Sequence, residues 1–317
     1  MNEQDKSAEP NWERGVLEKL AMSAIQEQRR SRYWSILFKT LGFLYLFIIL
    51  FLAAGWFRSD GVGIPKAHTA LIDLQGVISA DDASADTVIA SLQSAFEDKQ
   101  TKGVILRINS PGGSPVQAGQ IYDEIKRLRG LHPQIPLYAV VDDICASGGY
   151  YVAAGADKIF VDKASIVGSI GVLMDGFGFT KTMEKLGVER RLLTAGENKG
   201  FLDPFSPVDP TQQAYAKQML EEIHGQFINV VRQGRGKRLK ETPDMFSGLV
   251  WSGERSIQLG LSDGLGSVES VARDVIKAKD IVDYTQHEGL AERLIGKFGV
   301  TLGKAWAPFE QSGVVLR

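Results

Sequence analysis

Beyond about residue 67 the chain alternates short apolar runs with longer stretches in which apolar residues recur at helical spacing. His68 to Ile78, Val104 to Asn109, Leu137 to Ile144 and Lys158 to Val161 read as strands, being short, rich in Val and Ile, and bounded by Gly, Pro or Asp. Ser84 to Lys99 and Pro115 to Arg129 carry the helical period between them. This alternation predicts an α/β domain with a mostly parallel sheet and crossover helices. Further along, a strand is expected over Val188 to Leu193 and a long helix over Pro210 to Gly234, then shorter pieces and an amphipathic stretch near Glu288 to Phe298. No repeat interrupts the pattern, so one domain accounts for this part of the chain.

The pattern before residue 67 is of another kind. Leu41 to Phe57 carries no charge and as a helix would be about 25 Å long. With Trp34 to Thr40 added, and Lys39 reaching toward headgroups, it can span a hydrocarbon layer of about 30 Å. Ala53-Ala54-Gly55 resembles a processing site, but about forty residues precede the apolar run, far more than a secretory leader carries ahead of its core. An uncleaved anchor is therefore expected. Arg29, Arg30, Arg32 and Lys39 flank its start, which keeps the N-terminus cytoplasmic and sends the remainder across the membrane. The expected divisions are a cytoplasmic tail over 1–32, containing a short apolar stretch from Val16 to Ile25, an anchor over 33–57, a catalytic domain over 58–280 and a C-terminal extension over 281–317.

Composition narrows the chemistry. Among 317 residues, 36 Lys and Arg stand against 38 Asp and Glu, a net charge of -2 that gives no general field for nucleic acid. One Cys and four scattered His, with no H-E-x-x-H and no Cys cluster, predict no metal site and no cofactor. Catalysis then falls to other side chains.

The most informative stretch is the apolar run from Leu137 that ends in Ala-Ser147-Gly-Gly and resumes as a helix. A sharp strand-to-helix turn exposes one hydroxyl and aims the following N–H groups at the place where negative charge would develop. A second turn, Asn109-Ser-Pro-Gly-Gly113-Ser, again joins a strand to a helix, so two glycine-rich strand ends could each supply an oxyanion donor. No G-K-[ST] accompanies them, which disfavours a phosphate cradle. A nucleophilic serine needs a base, and no His lies near either turn. Lys199, in Gly196-Glu-Asn-Lys-Gly-Phe, is the candidate, because a desolvated amine can accept a proton from Ser147.

Four blocks in order, N-S-P-G-G-S, C-A-S-G-G-Y-Y-V-A, V-G-S-I-G-V and G-x-x-K-x-x-x-x-P-F, resemble the signal peptide peptidase A family in its short bacterial form. The resemblance implies the ClpP/crotonase fold, Ser147 as nucleophile, Lys199 as general base, and the N–H groups of Gly113 and Gly148 as oxyanion hole. It also implies that Ser169 orients the lysine amine, and that the substrates are hydrophobic, membrane-derived peptides such as signal-peptide remnants. Since longer members look like two copies of this domain in tandem, it further implies a homo-oligomeric ring, an octamer, with sites shared between protomers at the bacterial inner membrane. Two competing expectations are a crotonase-like acyl-CoA hydratase or isomerase and a non-catalytic membrane scaffold. Trp251 to Gly266 is read as packing and caps around a short helix, and Cys145 as a small buried apolar residue. The basic run Arg232, Arg235, Lys237, Arg238 and Lys240 is read as a solvated helix end.

Overall fold

A computed structural model describes residues 12–53 and 67–286, which fall into two compact units divided after Gly63. The first contains α1 (Trp12–Ala53), a single helix of 42 residues. It is long and apolar enough to cross a membrane, and its large apolar side chains, among them Phe43, Leu46 and Phe47, are exposed. The stretch from Trp12, read from sequence as a short helix or mobile tail on the near-helical spacing of Val16 to Ile25, is helical and continuous with the apolar stretch. Residues 1–11 and 54–57 of the expected tail and anchor lie outside the described residues.

The second unit opens with β1 (His68–Ile78), α2 (Ala85–Glu97), β2 (Thr101–Gly113), α3 (Pro115–Leu131), β3 (Leu137–Ala146), α4 (Gly148–Ala153) and β4 (Lys158–Val161). Caps set the helix starts: the Ser84 hydroxyl accepts from Thr87 N–H ahead of α2, and Ser114 accepts from Gln117 N–H ahead of α3, whose first residue is Pro115. There follow β5 (Ile166–Gly168), α5 (Thr180–Lys185), α6 (Pro210–Arg235), β6 (Val250–Ser252), α7 (Gly253–Gln258), β7 (Gly264–Leu265), α8 (Val268–Ser270) with a wider turn after it, and β8 (Ile281–Asp283). The strand order is β6-β5-β3-β2-β1-β8, parallel except between β5 and β6. The sheet forks at β3: its first half pairs with β4 through Tyr138 to Val140, and its last residues, Ile144 to Ala146, pair with β5. Apolar side chains from one sheet face, including Ile72, Leu74, Leu106 and Ile108, pack against Ile121, Ile125, Tyr150 and Phe227 of the helices. A smaller cluster, Ile105, Val140, Phe160 and Val271, covers part of the other face.

Two expectations need correction. Val188 to Leu193 forms no strand: the segment lies in a long arm between β5 and α6, and Leu193 is 97% exposed, so no sheet edge among the described residues receives its apolar side chains. The basic run is solvent-exposed at Arg232, Lys237, Arg238 and Lys240 but not at Arg235. Arg235 is only 1% exposed, donates to the Gly260 carbonyl and pairs with Asp263, which also takes a bond from Arg238, while Arg232 pairs with Glu241. Cys145 is buried as expected, and desolvation pushes its thiol up, away from reactivity.

The edge strand β8 closes the unit onto its own beginning. Tyr284 donates its N–H to Leu71 and its hydroxyl to Asp98, and that hydroxyl sits 3.0 Å from Nε2 of the buried His68. The sheet therefore takes in residues 281–283.

Burial alone would raise the Asp263 carboxyl, but bonds and charge from Arg235, the Ile159 N–H and Arg238 hold it below the usual range. A depressed folded value contributes stability that is complete above the unfolded value of about 3.9 and is lost as pH falls through the lower folded value. Asp263→Ala, which strands a buried guanidinium, is expected to cost about 3–5 kcal/mol. Denaturation from pH 7 downward checks both points: the gap between wild type and variant should hold until about pH 4 and narrow below it.

Candidate active site

Two strand ends meet at the fork. Ser147 lies between β3 and α4 with φ 51 and ψ -122, a backbone state that a residue with a Cβ rarely adopts and that costs about 1–3 kcal/mol. Its N–H donates to the Gly168 carbonyl at 2.8 Å, and its carbonyl receives the Tyr151 N–H at 3.0 Å. The turn is held from both sides, and the half-buried hydroxyl makes no capping bond. The end of β2 presses against it. A Cβ added at Gly112, where φ is +105, would lie 2.7 Å from both the Gly148 nitrogen and the Ser147 Cβ. One added at Gly113, where φ is +150, would lie 2.2 Å from the Ile78 carbonyl oxygen. Only glycines permit this approach, and it brings the Gly113 and Gly148 nitrogens together, since a Cβ on Gly148 would stand 3.3 Å from the nitrogen of Gly113.

A second strained serine stands nearby. Ser169, just past β5, also has φ 51 and donates its N–H to the Leu249 carbonyl at 2.7 Å. Trp251 packs against the preceding Gly168, where an added Cβ would meet the ring at 2.6 Å. Ser147, Gly148, Gly113 and Ser169 all line one cavity of about 570 Å³. Its walls are mostly apolar: Ala118 of α3, Tyr151 of α4, Ile223 and Phe227 of α6, and Val172 and Leu173 of the arm. Tyr151 and Phe227 touch with ring centroids 5.1 Å apart, and burial, with a smaller push from Asp123, raises the Tyr151 phenol. Such a cleft suits an extended apolar chain passing a hydroxyl and two backbone donors.

Among the described residues lining this cavity there is no His, Lys, Asp or Glu. Lys199 is not one of them. It sits exposed in a turn whose N–H donates to Gly196, on the arm between β5 and α6. That arm is internally ordered: Arg190 pairs with Asp203 and covers the Phe205 ring, and Phe205 stacks on Phe179 at 5.5 Å. It nevertheless leaves Leu173, Phe177, Leu186, Leu193 and Val208 exposed. Within one chain, four of the five expected site residues share a cavity and the fifth lies elsewhere. The cavity walls from α6 and the arm carried no sequence signal, because apolar residues at helical spacing look the same whether they face a core or a substrate.

The Peptidase family S49 profile matches residues 130–282, and the Clp protease profile matches residues 67–166, in keeping with a ClpP-like α/β fold. The chain is 44% identical over 253 residues to a Brucella abortus protein named "Na(+)/H(+) antiporter NhaA", covering 78% of this chain and 34% of that one. It is 30% identical over 209 residues to "Putative signal peptide peptidase SppA" of Enterococcus faecium, covering 66% of this chain and 60% of that one. It is 32% identical over 231 residues to "Putative protease MJ0651" of Methanocaldococcus jannaschii, covering 71% and 72%. The chain thus spans about a third of the Brucella protein's length and less than two thirds of the Enterococcus protein's. The profile match takes in the elbow at Ser147 and the whole arm, and the archaeal relative is matched over most of both chains; the chain belongs to peptidase family S49, among relatives of the signal peptide peptidase type.

Proposed function

We propose that this chain is a membrane-anchored serine endopeptidase in which Ser147 attacks a peptide carbonyl, Lys199 of a neighbouring copy takes the proton, and Gly113 and Gly148 N–H groups bind the oxyanion. The observation that carries this reading is a strained serine on a glycine-lined cavity to which the described residues contribute no His, Lys, Asp or Glu. A hydroxyl is a weak nucleophile until a base removes its proton. The base must then come from outside the cavity, and the exposed arm that carries Lys199 has the apolar surface of an unfilled interface. In a closed ring of heterologous contacts each protomer offers its Ser147 face to one neighbour and its Lys199 loop to the other. An octameric ring, by resemblance, is the proposed assembly. Ser169, on the rim of the same cavity, would receive the incoming amine as a hydrogen-bond partner.

The apolar walls favour hydrophobic peptides, and α1 would hold the site beside the membrane that releases them, signal-peptide remnants included. The proposed placement is a single pass through the bacterial inner membrane with the N-terminus cytoplasmic.

Ser147→Ala is expected to abolish peptide hydrolysis and labelling by a fluorophosphonate while leaving the fold intact. Substantial turnover by the folded variant would remove Ser147 from the mechanism. Lys199→Arg should be as inactive as Lys199→Ala, because a guanidinium keeps its proton.

Mixing decides whether the site is shared. When inactive Ser147→Ala and Lys199→Ala chains are co-assembled in equal amounts, about one site in four should receive an intact serine and an intact lysine from adjacent chains. Recovery near a quarter of wild-type activity is expected; silence from demonstrably mixed rings would refute the shared site. Topology has its own check, in which a protease on the cytoplasmic side should clip within residues 1–32 and leave the catalytic unit protected.

A further inference from the structure

The turn Gly168-Ser169-Ile170 is bonded at every residue, each time to a different element. The Gly168 carbonyl receives the Ser147 N–H at 2.8 Å, and the Ser169 N–H donates to Leu249 at 2.7 Å. The Ile170 carbonyl lies 3.1 Å from Nε2 of His224, in the middle of α6. The first bond belongs to the nucleophile elbow and the second to the approach to β6. The third is made by a side chain, and it is the one that a single substitution can delete.

A carbonyl oxygen only accepts, so Nε2 of His224 must carry the hydrogen. The bond fixes the Ile170–Gly171 peptide, one residue past Ser169, which is held at φ 51, and therefore fixes the direction in which Gly171, Val172 and Leu173 depart to form a cavity wall. The support for His224 is itself rigid. One turn further along α6, Phe227 packs on Tyr151 of the nucleophile helix, and near the helix end a Cβ on Gly234 would meet the Ala154 carbonyl oxygen at 2.1 Å. Beyond it, Arg235 is buried against Asp263. Helix α6 thus grips α4 at two points and the Ser169 turn at a third.

We propose that His224 is a positioning residue: its Nε2–H locks the Gly168-Ser169-Ile170 turn, and through it holds the Ser147 elbow and the Gly171–Leu173 wall in the arrangement that reacts. It does not touch the reacting atoms. The inference rests on the reading of Ser147 as nucleophile. Its consequence is that deleting the donor should slow acylation of each site and leave the number of sites unchanged. A residue that merely stabilised the fold would do the reverse.

The test is the rate of fluorophosphonate labelling at Ser147 in the full-length protein, with rate constant and final amplitude read separately. His224→Leu keeps apolar bulk and removes the donor; its rate constant should fall roughly ten- to a hundredfold, the scale of a small misplacement of reacting groups, with amplitude unchanged. His224→Gln, whose amide can reach the same carbonyl, should return the rate to within about threefold of wild type. Wild-type rate in His224→Leu, or a loss of amplitude alone, overturns the proposal. So does failure of His224→Gln to recover the rate. Absence of labelling in the wild type would instead overturn the nucleophile assignment. The ring tautomer, read by long-range nitrogen–proton correlation in the unsubstituted protein, tests the contact without any variant: an Nδ1–H neutral ring at His224 would sink it.

Discussion

The architecture of the site depends on one close approach, that of Gly112 to the Gly148 nitrogen and the Ser147 Cβ. Parallel strands β2 and β3 keep register up to Ile108 and Val141, and the shift after Ile108 lets Ser110 face Cys145. The two strands then end together, each passing into a helix within two residues. Because Gly112 and Gly113 have no room for a side chain at the contact, backbone lines the approach to Ser147 from that side. Positive φ at Ser147 is tolerated here because the turn is bonded at both ends, so neighbouring structure, and not local preference, determines it.

Around this fixed point the molecule is unevenly finished. The sheet, α2, α3 and α4 bury a continuous apolar core, and the Arg235–Asp263 pair ties the end of α6 to the loop before β7. The arm between β5 and α6 is bonded within itself but turns large apolar side chains outward. The segment that carries the candidate base is thus also the one with the most exposed apolar side chains in the second unit.

Much of this was legible in the sequence where the signal was long. Strands β1 and β4 have the bounds that their apolar runs announce, and α3 begins at the Pro115 that follows its cap. Strands β5 to β8 have two or three residues each and no period to detect; they exist because other strands supply edges. Val188 to Leu193 failed in the opposite sense, having the composition of a strand but no strand partner among the described residues. Arg235 read as solvent-facing because its counter-charge lies 28 positions away. The turns at Ser147 and Gly113 announced themselves through glycine, Lys199 was singled out as a lone loop lysine where no His lay near, the expectation for Ser169 came from resemblance to a family, and no spacing rule would have singled out His224.

The corner where Tyr284 meets His68 and Asp98 brings the first and last described strands of the second unit side by side, β1 hydrogen-bonded to β8. The first and last strands are neighbours, but the chain enters one and leaves the other at opposite ends. Because the two strands run parallel, a permuted gene that joins residue 286 to residue 67 and opens instead at an exposed surface turn would need a crossover linker of about a dozen residues or more to preserve the strand pairings described above. The unit could then be attached to a support from a different point on its surface, with the same cavity and the same elbow.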